Sequence, residues 1–274
     1  MPKEPLSRLL AGEGITCHAA LAYNACRILH PGMVARLSPF APKTAILFLV
    51  PYYAGETVNL SRYAAAGDYH AYMQGLFTRL TPALERETGY TFHGFADQSP
   101  IDERHAAAVA GLGMLGKNGL LIHETYGSFV FIGEWLTDAP PESLGAVAPV
   151  TPRSCMGCGA CKNACPSGCL RGESTLCLSS VTQKKGELNA GEAALLLQGN
   201  LIWGCDVCQE ICPYNQRMIR EKQYTPITYF HNDRITRLTR EMLDAMDADA
   251  FAARAFSFRG RAPLERNLAL LDKK

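Results

Sequence analysis

The residues of this sequence that are best suited to chemistry are its cysteines. The chain has 274 residues and 11 cysteines, and nine of these lie between Cys155 and Cys212. The first four of the nine follow the spacing C-x2-C-x2-C-x3-C, and Pro166 comes directly after them. Bacterial 4Fe–4S ferredoxins have this spacing: three thiolates bind one cluster, and the fourth cysteine binds a second cluster.

A second cysteine group, with the spacing C-x2-C-x3-C, ends at Cys212 and is followed by Pro213. It has one ligand too few for a cluster of its own, so we expect two clusters that exchange ligands between the groups. The predicted ligands of cluster one are Cys155, Cys158, Cys161 and Cys212. Those of cluster two are Cys165, Cys205, Cys208 and one further cysteine, for which Cys169 and Cys177 are the two candidates.

Zinc is the alternative metal, because C-x2-C pairs also form tetrahedral zinc sites. A zinc site explains neither the triple run of cysteines nor the two x3 gaps followed by proline, so the spacing favours iron–sulfur clusters. Cys17 and Cys26 stand apart from both groups. We interpret them as buried or incidental thiols, since free cysteine is among the most buried residue types.

The composition limits the class of protein. The sequence is 47% hydrophobic and 19% charged, with a formal net charge of +1, which predicts a globular chain without a globally basic surface. No apolar run is long enough to cross a bilayer, and the N-terminus lacks a secretory signal. An odd number of cysteines without an export signal argues against a disulfide framework. We therefore expect a cytoplasmic protein that is not associated with a membrane.

The hydrophobic pattern predicts an α+β fold with three segments. Helices are expected over 4–12, 68–89 and 102–119, and strands over 44–53, 90–97, 120–123 and 127–137. The proline-rich stretch 138–153 is the best candidate for a domain boundary. The predicted domains are a mixed α/β domain at 1–150, a ferredoxin-like double 4Fe–4S domain at 151–216, and a helical C-terminal extension at 217–274. Within the extension, a helix is expected over 235–258.

Nucleotide-binding motifs are missing from the first domain. It has neither a Walker-type glycine-rich loop nor a G-x-G-x-x-G after a strand, and the glycine-rich stretch 111–119 is a weak phosphate-loop signal on its own. Because clusters transfer single electrons, the first domain is expected to hold the group that they reduce.

The order and spacing of the motifs resemble the epoxyqueuosine reductase family over roughly residues 30 to 271. The similar stretches are FADQSP at 95–100, CMGCGACKNACPSG at 155–168 and GCDVCQEICPYNQ at 204–216, with SRYAAAGDYHAYM at 61–73 as a further match. The resemblance implies a cobalamin-dependent enzyme with two 4Fe–4S clusters that forms queuosine in tRNA. The first domain would then be of the cobalamin-binding type.

The resemblance also implies roles for individual residues. It makes Cys177 the eighth cluster ligand and Asp97 the general acid. The expected cobalamin-binding residues are Arg36, Ser61, Asp97, Ser179 and Gln183. An external electron donor such as a flavodoxin or ferredoxin is also implied.

Two alternatives remain from the residues themselves. Asp97 is also a candidate cap for the helix that follows it.

The chain ends at Lys274, where family members continue into helical repeats, so we expect weakened contacts to tRNA. The alternative functions are a cobalamin-dependent reductase of another small substrate, or a ferredoxin-type electron carrier without a corrinoid.

Overall fold

The computed structural model describes residues 3–273, and contacts divide the chain into two compact units. The first unit contains the residues up to Pro51 together with Met73–Gly157. The second contains Tyr52–Tyr72 and the residues from Cys158 onward. The expected α+β class is confirmed, and so is the helical C-terminal region. The domain bounds 1–150, 151–216 and 217–274 stay a prediction.

The first unit is built around a four-stranded sheet with the order β1-β2-β6-β3, and every neighbouring pair is antiparallel. Met114–Leu115 and Leu121–Ile122 form a separate small hairpin. The strands are β1 (His18–Ala22), β2 (Thr44–Pro51), β3 (Phe92–Ala96), β4 (Met114–Leu115), β5 (Leu121–Ile122) and β6 (Val130–Thr137). The helices are α1 (Lys3–Gly12), α2 (Pro31–Ala35), α3 (Tyr69–Thr88, whose first turn belongs to the second unit) and α4 (Glu103–Val109).

Strand β2 is the centre of this unit, and all eight of its residues are buried. Because side chains alternate across a strand, its two faces support two cores. Leu47 and Leu49 join the alanines of α4 in one aliphatic core. On the other face the ring of Phe48 lies 4.7 Å from the ring of Trp135 and 6.2 Å from that of Phe77 in α3.

The helix predicted over 102–119 is shorter than expected. Asp102 begins α4 by accepting a hydrogen bond from the His105 N–H, and the helix ends at Val109. Gly111 has φ 81°, a conformation that glycine adopts without steric cost, and this residue turns the chain out of the helix. The residues that follow pair as β4 and β5 instead of adding further helical turns.

The second unit is helical. Its helices are α5 (Ala160–Ala164), α6 (Leu178–Thr182), α7 (Ala190–Gly199), α8 (Val207–Glu210), α9 (Pro213–Arg220), α10 (Arg240–Ala245), α11 (Ala248–Ala252) and α12 (Ala262–Leu271). The helix predicted over 235–258 is divided into α10 and α11, because Met246 is extended and Asp247 caps a new helix through the Ala250 N–H. Leu60, Trp203 and Phe256 belong to the apolar core of this unit. No helix of residues 3–273 is long and apolar enough to cross a membrane.

The pairing of β2 with β6 yields a stability prediction. Phe48 lies directly opposite Gly133, and a Cβ atom at Gly133 would overlap the Phe48 ring. Since Trp135 and Phe77 already hold that ring in place, Gly133→Ala is expected to lower the free energy of unfolding by about 1–3 kcal/mol. Denaturant titration measures the change.

Gly32→Ala is the matched control, because a Cβ at Gly32 in α2 meets no atom within 4 Å. It should leave stability unchanged or raise it by up to about 1 kcal/mol. Equal stabilities of Gly133→Ala and the wild type would contradict the described register.

Candidate functional site

The cysteine-rich segment is positioned by short helices and by glycines with positive φ. Gly157 and Gly159 have φ values of 72° and 78°, so the backbone curls between the cysteines before α5 begins. Helix α5 carries Cys161 and ends at Cys165. It packs against α8, which carries Cys208.

Several of the remaining cysteines stand at helix starts. Cys177 precedes α6, and Cys212 precedes α9 with Pro213 at the first helical position, where a missing N–H costs nothing. The N–H of Cys155, at the end of the first unit, donates to the Leu115 carbonyl. Cys158 is exposed in a loop.

The four thiols predicted for cluster two are neighbours in the second unit. Cys205 interacts electrostatically with Cys177 and Cys165, and Cys208 interacts with Cys205 and Cys177. Cys169, the other candidate ligand, also lies here, with its Sγ 3.5 Å from the Sγ of Cys165. Cys169 also interacts electrostatically with Cys177, so five thiols of this unit are linked by neighbouring pairs, one more than a cluster requires.

The pKa values of these thiols show that most of them are protonated in the absence of a metal. Burial raises the pKa of Cys205 to about 11 and that of Cys208 to about 12, and neighbouring thiols add to the effect. Burial opposes ionisation of Cys165 as well, but hydrogen bonds from Leu170, Ser167 and Cys169 lower its pKa to about 7. Thiolates bind iron, so cluster binding must displace protons here.

The donor set fits iron–sulfur clusters. All eleven cysteines are free thiols. Among residues 3–273, no group of three or more His, Cys, Asp or Glu side chains is close enough to hold a single metal ion. The ligands of a cubane cluster lie farther apart than the ligands of a single metal ion. This wider spacing suits thiols that are neighbours but do not surround one ion.

A buried ionic network supports the second cysteine group. Asp206, between Cys205 and Cys208, accepts hydrogen bonds from Ser61 Oγ at 2.6 Å and from the Arg62 N–H at 2.7 Å. The Arg62 side chain is buried and forms ion pairs with Asp206, Glu56 and Glu210. Burial alone would lower the pKa of Arg62, but Glu210 and the other acids raise it, so the guanidinium stays charged.

Three of the residues expected to bind cobalamin lie in the second unit. Gln183 Nε2 donates to Ser179 Oγ at 3.0 Å, and the Tyr63 hydroxyl lies 3.5 Å from the same nitrogen. Trp203 Nε1 donates to that hydroxyl at 2.8 Å. Ser61 is 2% exposed, and its hydroxyl already donates to Asp206. Ser179 and Gln183 therefore form one polar group with Tyr63, whereas Ser61 anchors the chain beside it.

The two other expected residues lie in the first unit. Arg36 is exposed at the end of α2, with its Nε 3.3 Å from the Gly32 carbonyl oxygen. Asp97 follows β3 directly, is exposed, and has φ 61°, a left-handed conformation that is uncommon for a residue other than glycine. The cap of α4 is Asp102 and not Asp97, so the alternative role of Asp97 as the helix cap is wrong.

Two acids near Asp97, the half-buried Glu103 and the fully buried Glu134, were not predicted from the sequence. The Glu103 carboxyl accepts a hydrogen bond from the Asp97 backbone N–H. Glu134, in β6, is 0% exposed and accepts a hydrogen bond from Ser99 Oγ at 2.6 Å. The pattern of β6 contained the signal for Glu134, because it alternates with Ile132 and Leu136 on the face that packs against α4.

Burial disfavours the ionised form of both acids. Burial, with the charge of Asp97 as the next contribution, raises the pKa of Glu103 to about 7. Burial raises the pKa of Glu134 to about 8, opposed by the Ser99 hydrogen bond and reinforced by Glu103. A buried carboxyl that is protonated near neutral pH can donate a proton.

Comparison with known proteins defines the class first. Residues 154–215 match the family described as a 4Fe–4S double cluster binding domain. The chain is thus an iron–sulfur protein with a domain for two clusters.

Curated proteins with similar sequences are named epoxyqueuosine reductase. The chain is 37% identical to the epoxyqueuosine reductase of Salmonella typhimurium over 63% of this chain and 46% of that protein. It is 34% identical to the enzyme of Aliivibrio fischeri over 74% of this chain and 54% of that one. The chain spans about half the length of the curated relatives it matches. Over 63–74% of its length the chain is thus similar in sequence to epoxyqueuosine reductases.

Solved structures show the same fold. The epoxyqueuosine reductase from Streptococcus thermophilus has a TM-score of 0.76 with 24% identity, covering 98% of this chain and 80% of that one. A second epoxyqueuosine reductase, solved with an epoxyqueuosine-modified tRNA-Tyr stem loop, has a TM-score of 0.70 with 21% identity over the same shares.

The buried carboxyl of Glu134 makes stability depend on pH. Its pKa rises from the ordinary value of 4.5 to about 8 on folding, so between these values the folded chain keeps a proton that the unfolded chain releases. The stabilising contribution is complete below about pH 4.5 and is lost as the pH rises through about 8. In the wild type this proton makes the free energy of unfolding fall by on the order of a few kcal/mol between pH 6 and pH 9. In Glu134→Gln, which has no titrating carboxyl at this position, that fall should be absent.

Denaturant unfolding at both pH values measures this loss. The exposed Glu142, changed to Gln, is the control and should follow the wild-type pH dependence. If Glu134→Gln also follows the wild type, the buried proton assigned to Glu134 is not there.

Proposed function

We propose that this chain is a cobalamin-dependent reductase that removes the epoxide oxygen of epoxyqueuosine in tRNA and so forms queuosine. Two 4Fe–4S clusters, reduced by an external donor such as a flavodoxin or ferredoxin, supply the electrons. The observation that carries the proposal is Asp97, an exposed carboxyl in an unusual backbone conformation, in a chain that also has a double-cluster domain.

For the clusters we propose the ligand sets that the spacing and the family indicate. Cluster one uses Cys155, Cys158, Cys161 and Cys212, and cluster two uses Cys165, Cys177, Cys205 and Cys208. The electrostatic interactions of Cys205 and Cys208 with Cys177 support this choice. Since all the thiols are free, a reducing compartment such as the cytoplasm suits the protein.

The choice between Cys177 and Cys169 can be tested by counting iron. The wild-type chain, reconstituted without oxygen, is expected to hold about eight iron atoms. Cys177→Ala should retain about four, because cluster two loses a ligand, whereas Cys169→Ala should retain about eight. Iron and sulfide analysis with electron paramagnetic resonance of the reduced chain provides the count. A loss of iron in Cys169→Ala, with Cys177→Ala intact, would reverse the assignment.

The residues for cobalamin are Arg36, Asp97, Ser61, Ser179 and Gln183. Hydroxyl and amide groups suit the amide-fringed corrin ring, and the contact between Ser179 and Gln183 beside the Tyr63 hydroxyl provides such a group. When bound, the cobalamin supplies a low-valent cobalt centre for two-electron reduction. The role of the chain is to hold this group and to exclude water.

Asp97 is proposed to protonate the epoxide oxygen. Opening an epoxide leaves an alkoxide unless an acid delivers a proton as the C–O bond breaks. Asp97 has a left-handed backbone conformation directly after β3, and its N–H donates to the Glu103 carboxyl. An exposed carboxyl in this setting can reach a bound substrate.

The tRNA substrate is supported by the relatives. One family member has been solved with a tRNA stem loop that carries epoxyqueuosine. An anticodon loop can be bound through stacking and a few phosphate contacts, so a chain with a net charge of +1 can still bind it through a local surface.

The direct test uses the anaerobic chain with clusters and cobalamin, and an epoxyqueuosine-modified stem loop as substrate. Queuosine is expected, and Asp97→Asn should lower the rate by about 100-fold or more, as the loss of a general acid does. Asp102→Asn is the control: asparagine also caps helices, so α4 and the rate should be kept.

The other outcomes identify the alternatives. A chain that retains corrinoid but leaves the stem loop unchanged would be a reductase of another small substrate. A chain that retains no corrinoid but passes electrons through its clusters would be a ferredoxin-type carrier. An Asp97→Asn rate equal to the wild-type rate would remove Asp97 as the acid.

A further inference from the structure

The proposed reaction requires two protons, and Asp97 can hold only one. Converting an epoxide to an alkene breaks two C–O bonds, takes up two electrons and two protons, and releases the oxygen as water. A carboxylic acid carries a single transferable proton. Once bound substrate covers Asp97, the second proton has to come from the protein side.

Glu103 is the less exposed carboxyl next to Asp97. It is the first residue of α4, and its carboxyl accepts the hydrogen bond from the Asp97 N–H. Its Oε2 is buried and has no hydrogen-bond partner among residues 3–273. An ionised carboxylate with an unsatisfied buried oxygen is costly, so the neutral acid is the favoured form.

Glu134 lies deeper on the same face of the sheet. Its side chain is fully buried among the aliphatic residues that separate β6 from α4. One oxygen accepts the Ser99 hydrogen bond, and Oε2 has no partner in the described part of the chain. The charge of Glu103 further raises the pKa of Glu134, so the two carboxyls interact electrostatically.

The other titratable and charged groups around Glu103 and Glu134 do not offset their preference for the protonated form. Tyr23 and Cys26, which face Glu134, are weak acids that burial keeps protonated. Asp102 is paired with Arg27 at 3.4 Å. Arg104 is the cation that favours ionised Glu103, but its guanidinium donates to the Gly119 carbonyl at 2.6 Å.

We propose that Glu103 and Glu134 form a proton reserve for Asp97, an inference that rests on the proposed function. Asp97 gives its proton to the epoxide oxygen as the first C–O bond breaks. Glu103 then returns a proton to Asp97, which delivers it as the second C–O bond breaks and water leaves. Glu134 restores the proton of Glu103, and solvent reloads both acids after product release. The clusters and the bound cofactor supply the two electrons.

Glu103→Gln separates proton supply from structure. The amide keeps an oxygen to accept the Asp97 N–H but has no transferable proton. In single-turnover reactions with the stem loop, the wild-type rate should fall as the pH rises through about 7, where Glu103 ionises. Glu103→Gln should react about tenfold or more slowly at pH 6, and this step in the pH profile should be lost. Glu103→Ala, which also loses the acceptor, should be slower still.

A second measurement does not depend on turnover. Infrared difference spectra of the chain without cobalamin, recorded across pH 5 to 9, report protonated buried carboxyls through their C=O stretch. We expect two such bands that titrate in this range. Glu103→Gln should remove one, and Glu134→Gln the other, and each change should shift the band that remains.

The outcomes separate this inference from the proposed function. If the wild-type chain forms queuosine and Glu103→Gln matches its rate and pH profile, the reserve is overturned while the reductase stands. If no queuosine forms, the infrared spectra decide: two coupled bands support a proton reserve, and carboxyls that ionise below pH 5 exclude it.

Discussion

The buried carboxylate of Asp206 is the interaction on which the second unit depends. It lies inside the C-x2-C pair of Cys205 and Cys208, and it accepts hydrogen bonds from Ser61, from the Arg62 backbone and from Gln209. A charge at this depth is tolerated only with a full set of partners, which Arg62 and these donors provide. The result is that the segment around Ser61 is fixed to the loop that carries Cys205 and Cys208.

The two units use buried acids in opposite ways. In the second unit Asp206 is paired with a permanent cation and surrounded by donors, so its carboxyl serves as an anchor. In the first unit Glu134 has one hydroxyl donor and apolar neighbours, and Glu103 has an oxygen without a hydrogen-bond partner among residues 3–273, so the protonated forms of both are favoured below about pH 7. Burial raises the pKa of Asp206 as it does those of Glu103 and Glu134, and what distinguishes Asp206 is its pairing with a buried arginine and with three hydrogen-bond donors.

The sequence was most informative where chemistry depends on spacing along the chain. The buried strand β2 and the position of Asp97 after a strand were both predicted, because each depends on neighbours that are close in sequence. Other features depend on tertiary structure. Glu134 is buried through the register of β6 with β2 and β3, and Tyr52–Tyr72 joins the second unit through the Asp206 network. The early end of α4 came from the conformation of Gly111, which competed with an apolar helical pattern.

The central claim is that electrons from two clusters and protons from this chain convert an epoxide to an alkene. The most direct measurement is the stoichiometry of one turnover. The anaerobic, cobalamin-loaded chain is reduced, freed of excess reductant and mixed with limiting epoxyqueuosine stem loop. Queuosine and cluster oxidation are then quantified together. The account predicts one queuosine for every two electrons lost. Oxidation of the clusters without formation of queuosine would contradict it.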